Sequence, residues 1–507
     1  MDTTTIRGLP SELKDLAPFA PSYGKDEDGE YAEITVPDYF PPGSIAVFKT
    51  HMPDTDPELE ATCRANADEM VKELDLIDLN VLLYRANSEE NDVTAGEIGA
   101  YNVPDMGDLT YCGLQGWMAA LNYVMSHNDL GHPLCNHLRK GTWAMDYVSN
   151  RLERQLELFP RLDGPAKWFK ERFDKIKTTV PNFLRPKYFA VVIYAAYQAA
   201  VKAALEQQSE FVTNGHEFTK ALAMTALQMH GTVISASIDP AIPVPSLAAG
   251  LPHFATGWGR TWGRDAAISL RGLFLTTGMF EPARRHILAL MSLVKHGLIP
   301  NLVDSCRTPR YNSRDSPWWM LINIQEYVKM APNGLAILGE NIKRRFPADG
   351  TWVAWDDARA FSETATLAEL IQDIVQGHAR GIHFREHNAG PKLDSQMRDE
   401  GFNLDIEVDW KTGLVHGGNS FNCGTWMDKN GESEKAGTKG IPGSPRDGAP
   451  VEIQGMLKAT LRWLADLSSR GQFPFNGVNA IGKCSAWNFG TIIDSLDSQR
   501  RGEVCCV

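Results

Sequence analysis

The sequence has no excess of positive charge, no cysteines at zinc-ribbon spacing, no signal-like pattern in its opening residues and no long unbroken apolar run, and each lack removes a class of function. Its 50 Lys and Arg stand against 63 Asp and Glu, a formal charge of −13. A surface of that sign repels the phosphates that dominate nucleic-acid affinity, and it repels anionic membranes as well. Neither nucleic acid nor a membrane is therefore expected as a partner. The eight cysteines, Cys63, Cys112, Cys135, Cys306, Cys423, Cys484, Cys505 and Cys506, show neither the spacing of a zinc ribbon nor the density of a disulfide scaffold. That usage fits a reducing compartment. The opening MDTTTIRGLP has no basic region followed by an apolar one and no Arg-rich amphipathic pattern, so a cytoplasmic location is expected. The most apolar stretch, 188–205, is interrupted by Tyr, Gln and Lys at helical spacing and reads as a core helix. No GxSxG, Walker A or convincing GxGxxG string occurs, so no cofactor is expected. His132, Cys135 and His137 lie close together in GHPLCNH but have no distant partner pair, and they read as structural with no metal.

What is present is 43% hydrophobic residues arranged mostly at three- and four-residue steps. This periodicity predicts helices from about residue 67, near 116–126, 165–176, 187–207 and 216–230, and then over 265–278, 281–297, 316–330, 364–379 and 450–467. Short alternating patches such as YAEITV near the start read as edge strands, and no strand-helix alternation suggests a parallel sheet. The fold class is therefore mainly α. The polar stretch EQQSEFVTNG is the candidate boundary between an accessory region, 1–215, and a helical domain, 216–507. A loop from about 398 to 450 exceeds any packing need and is expected to carry a site.

Three strings concentrate chemistry. GWGRTWGRD, 257–265, places Trp262, Arg264 and Asp265 directly before a helix. An indole face suits the apolar face of a sugar ring, while Arg and Asp supply donors and acceptors for hydroxyls. RYNSRDSPWW, 310–319, repeats the Arg-Asp pair as Arg314 and Asp315, with Pro317 compatible with a first helical turn. In the third, GSPRDGAPVEI gives Arg446 and Asp447, again ahead of a helix. Asp is a good cap at a helix start, which explains any one of these pairs without function. Three in one setting suggest helical hairpins whose inner helices begin at the same end, with the pairs on one rim. In NCGTWMDKNGES, Asp428 sits between Trp426 and Lys429. An indole raises a carboxyl pKa by desolvation and an ammonium lowers it, so the string leaves the outcome open. Paired carboxylates remain the chemistry to test.

Together with LPHFATGWGRTWGRD, KHGLIPNL and REHNAGP, these strings resemble the eukaryotic glycogen debranching enzyme family in its amylo-α-1,6-glucosidase part, over about 39–478. The resemblance implies an (α/α)6 toroid and an inverting glucosidase that removes single α-1,6-linked glucose units from trimmed glycogen branches, such as those of a phosphorylase limit dextrin. It implies Asp428 as the general acid. Trp262, Arg264, Asp265, Arg314, Asp315, Trp426, Arg446 and Asp447 would hold the substrate. The string match fades after QFPFNGV, and the family's glucanotransferase barrel has no counterpart, so an incomplete toroid without the catalytic base and without transferase activity is expected. A glucan-binding chain without hydrolysis is the alternative that this expectation raises.

Overall fold

A computed structural model describes residues 56–84, 112–233, 244–247, 261–303, 307–422, 424–445, 447–479 and 486–489, together with short strands at 5–7, 22–26, 29–33, 45–47, 101–103 and 107–109. The chain is mainly helical, as the periodicity predicts, and divides into two compact units between Ala204 and Leu205.

The first unit is built on four long helices, α1 (Leu114–His127), α2 (Trp143–Glu153), α3 (Asp163–Thr179) and α4 (Arg185–Glu206). Its core is an aromatic stack. Phe173 lies 5.7 Å from both Phe169 and Phe189, and Phe189 meets Trp117 edge-on at 5.5 Å. The stretch Asn182–Glu206 is long and apolar enough to cross a membrane by length and composition. Within the unit its Phe189, Val192, Ile193, Ala196 and Ala200 are fully buried. His132 has a structural role, accepting a hydrogen bond from the Leu134 amide at the start of the next helix, and Cys135 is a free, buried thiol.

The second unit contains α5 (Glu217–Met229), α6 (Gly263–Leu270), α7 (Phe280–Met291), α8 (Ser316–Met330), α9 (Leu367–Arg380) and α10 (Val451–Ser469). Helix α9 shows why the sequence starts a helix there. Thr366 Oγ1 accepts from the Glu369 amide at 3.2 Å while the Glu369 carboxylate accepts from the Thr366 amide at 2.7 Å, a reciprocal cap. From there Leu367, Leu370, Ile371, Ile374 and His378 form one buried stripe, ending at Gly381 with φ +86°. His378 packs against Trp318 of α8 at 4.6 Å, and its burial holds the imidazole down at about 4. Helix α8 packs between α6 and α10, and its Trp318 is fully buried while Trp319 is half-buried.

The structure departs from the loop reading of 398–450. Two strands, β2 (Asn403–Asp409) and β3 (Leu414–Gly417), occupy its first part and complete a three-stranded antiparallel sheet with β1 (Ile382–Arg385), which precedes it. The cause is a period of two in NLDIEVD: Leu404 and Ile406 face inward, Asp405 and Glu407 outward. Beyond β3 the chain is irregular, but it is pinned. Gly417 and Gly448 exchange backbone hydrogen bonds at 2.9 and 3.0 Å, which ties the end of the sheet to the approach of α10.

Candidate active site

The site begins with a close backbone approach. Trp262 precedes α6 in extended conformation and pairs with Leu302, which pairs in turn with Arg310. A Cβ on Gly263 would stand 2.0 Å from the Pro300 carbonyl oxygen, so the residue between Trp262 and Arg264 must be glycine for the strands to meet. The Gly263 amide donates to Asn301 at 2.7 Å. Trp262 is thereby fixed half-buried at the helix entrance, and Arg264 turns into the protein.

Arg264 joins three strings of sequence. Its Nε donates to both oxygens of Asp315, at 2.9 and 3.1 Å, its Nη2 to Ser313 Oγ at 3.1 Å and its Nη1 to Asp428 Oδ2 at 2.8 Å. Asp315 is fully enclosed, and Ser313 Oγ donates to it at 2.6 Å. Ser313 also accepts from the Ser316 amide at the start of α8. The other oxygen of Asp428 lies 3.2 Å from Lys429 Nζ, whose side chain is almost wholly in solvent. Asp428 itself is about three-quarters covered and keeps an opening to the exterior. Trp426 and Met427 beside it are exposed.

Arg314 points elsewhere. Its guanidinium lies in a slot made by three glycines: a Cβ on Gly417, Gly418 or Gly424 would approach it within 3.0, 3.1 and 2.8 Å. Its amide donates to the Gly424 carbonyl at 2.7 Å and its Nη1 to Gly448 at 3.4 Å. Burial pulls its pKa down to about 10, opposed by Asp315, Asp447 and Glu452. Asp447 is exposed, and Arg446 lies outside the described residues. The structure thus brings Arg264, Asp315 and Asp428 into direct contact, keeps Asp265 within their field, and places Arg314 under the loop that carries Asp428. Ser313 carried no expectation; its signal was its place two residues before the Asp of the Arg-Asp pair, where a hydroxyl reaches both that carboxylate and the next amide.

Asp265, in the first turn of α6, has its carboxyl pushed up by desolvation, opposed by Arg264 and Lys429 and reinforced by Asp428. A carboxyl raised in the folded state favours its protonated form, so its contribution to stability is present at low pH and is lost as pH rises through the raised value. Asp265→Asn removes that loss. The variant is expected to melt higher than the parent at pH 7 and not at pH 3; thermal melts at both pH values check the sign.

Residues 190–497 match the family described as amylo-alpha-1,6-glucosidase. The chain belongs to that family. Residues 1–152 match a second model, the central domain of human glycogen debranching enzyme. The chain is 48% identical over 477 residues to a Saccharomyces cerevisiae protein named glycogen debranching enzyme, covering 94% of this chain and 31% of the yeast protein. The chain thus spans about a third of that curated relative. The family match runs to residue 497, past the point at 478 where the shared strings fade.

Proposed function

We propose that this amylo-α-1,6-glucosidase family member hydrolyses single α-1,6-linked glucose units at trimmed branch points of glycogen, the structure of a phosphorylase limit dextrin. The observation that carries the reading is the Arg264–Asp428 ion pair, which fixes the candidate acid against the Trp-Arg-Asp loop. A glucose ring stacked on Trp262, with hydroxyls on Asp265, puts its glycosidic oxygen near Asp428, open to the exterior for the polymer. Asp428 protonates that oxygen as the C–O bond breaks, and inversion further requires a second carboxylate on the opposite face to take the proton of the attacking water, the base that the shared strings do not contain.

The finer fold in this proposal is an (α/α)6 toroid. Helices α6, α8 and α10 are read as inner members and α7 and α9 as outer ones. In support, α8 packs between α6 and α10, and the approaches to all three meet around Arg264, Asp315 and Arg314. An inverting reaction on an α-linkage releases β-glucose. Proton NMR of the first product from limit dextrin tests this directly: β-glucose ahead of mutarotation is expected, and α-glucose would rule out inversion.

A further inference from the structure

A cavity of about 900 Å³ lies in the second unit, and neither Asp428 nor Arg264 lines it. REHNAGP supplies all seven of its residues to the wall and KHGLIPNL supplies Lys295 and His296, strings to which the hydrolytic reading gives no task. In a chain of charge −13 the wall carries four cationic side chains, Lys295, Arg310, Arg385 and Lys392, against one carboxylate, Glu386. Two of the four are answered. Arg310 pairs with Glu386 at 2.6 Å and Asp394 at 3.1 Å, and Arg385 pairs with Asp399.

Lys295 is not. It is 4% exposed, donates to the Gly350 carbonyl and lies 2.7 Å from His296 Nε2, with the rings of Phe346 and Trp352 at 5.5 and 6.0 Å. Among the described residues no carboxylate forms an ion pair with it, and burial pulls its ammonium down to about 8. Burial and the Lys295 charge together hold His296 at about 4 and His387 below its ordinary value. Among the described residues only the solvent-exposed Asp349, which forms no ion pair with it, offsets that charge, and a buried ammonium beside imidazoles is costly unless an anion answers it more closely. The remaining wall is aromatic. His387 stacks on Trp352 with centroids 3.9 Å apart and planes at 18°, and His296 on Phe384 at 4.5 Å and 20°. Flat apolar faces beside an anion site suit a ring that carries a phosphoryl group, and the volume is that of a small-ligand pocket.

We propose that this cavity binds a phosphorylated hexose, its phosphoryl group against Lys295, His296 and His387 and its ring along the aromatic wall. The phosphoryl group belongs either to a free hexose phosphate or to an ester on a glucosyl unit of a polysaccharide. The proposal does not depend on Asp428. Titration calorimetry on the full chain with glucose 6-phosphate, glucose, inorganic phosphate and a phosphorylated maltodextrin tests it. Glucose 6-phosphate is expected to bind at least about tenfold tighter than glucose or inorganic phosphate. The gain should vanish in Lys295→Gln and in His387→Gln, the latter at an exposed position where folding is not at risk. It should persist in Asp428→Asn, so that failure of the site and failure of the hydrolytic reading are told apart. Tight binding of the phosphorylated maltodextrin assigns the ligand to a polymer, and binding of the free ester alone assigns it to a small molecule. Glucose as tight as its phosphate, inorganic phosphate as tight as either, or no binding of any of them overturns the proposal.

Discussion

Asp428→Asn is expected to fold, to keep its affinity for glucan and to release glucose more slowly by about a thousandfold or more. The amide has the shape of the carboxylate, so its oxygen still meets Arg264 Nη1, which stands 2.8 Å from Oδ2. What it lacks is a proton to give. The lost ion pair with Lys429 costs little, because that ammonium is solvent-borne. Trp262, Asp265 and Trp426, which carry the proposed sugar contacts, are unaltered. Glucose release from limit dextrin and retention on immobilised glucan separate turnover from binding. A substrate whose leaving group needs no proton sharpens the test. α-Glucosyl fluoride should be cleaved by the variant far better, relative to the parent, than the branched glucan. Equal impairment on both substrates would show that Asp428 shapes the site and is not the acid.

The parts of this site written in one string were legible in sequence, and those made by folding were not. Trp262, Arg264 and Asp265 stand together at a helix start because glycine, indole and caps are local features. The partners of Arg264 lie 51 and 164 residues away, at Asp315 and Asp428, and no local rule names them. Arg314 shows the opposite case. Its string repeats the Arg-Asp pair, which suggests a rim contact, yet its neighbours Gly417, Gly418 and Gly424 open a slot that takes its guanidinium inward. The helices were readable from their stripes, as Thr366 and Glu369 show for α9. Strand β2 was missed, although Leu404 and Ile406 alternate with Asp405 and Glu407, because seven residues of alternation were absorbed into a Gly-rich surrounding read as loop. The anionic deficit around Lys295 was beyond reach, since its wall is assembled from segments near 295, 310, 350 and 390.

Arg264→Met is expected to cost more stability than any other single change at the site, about 3–5 kcal/mol. Arg264 and Asp315 are 5% and 0% exposed in their side chains, so removing the cation leaves a carboxylate with no access to water and, among the described residues, only Ser313 as a hydrogen-bond donor to it. Asp428, partly exposed, recovers some hydration and suffers less. If the cost comes from that stranded charge, Asp315→Asn in the same chain should return part of it. A double-mutant cycle by urea unfolding should then show a coupling on the order of 2 kcal/mol between the two positions. Additive losses would mean that Arg264 stabilises through packing alone. Arg264→Lys separates charge from geometry. An ammonium answers Asp315 but cannot fork to both its oxygens, Ser313 and Asp428 together. That variant should retain much of the stability and still lose most glucose release, because the guanidinium stabilises the interior through Asp315 and, in the proposed reaction, serves turnover through the position of Asp428.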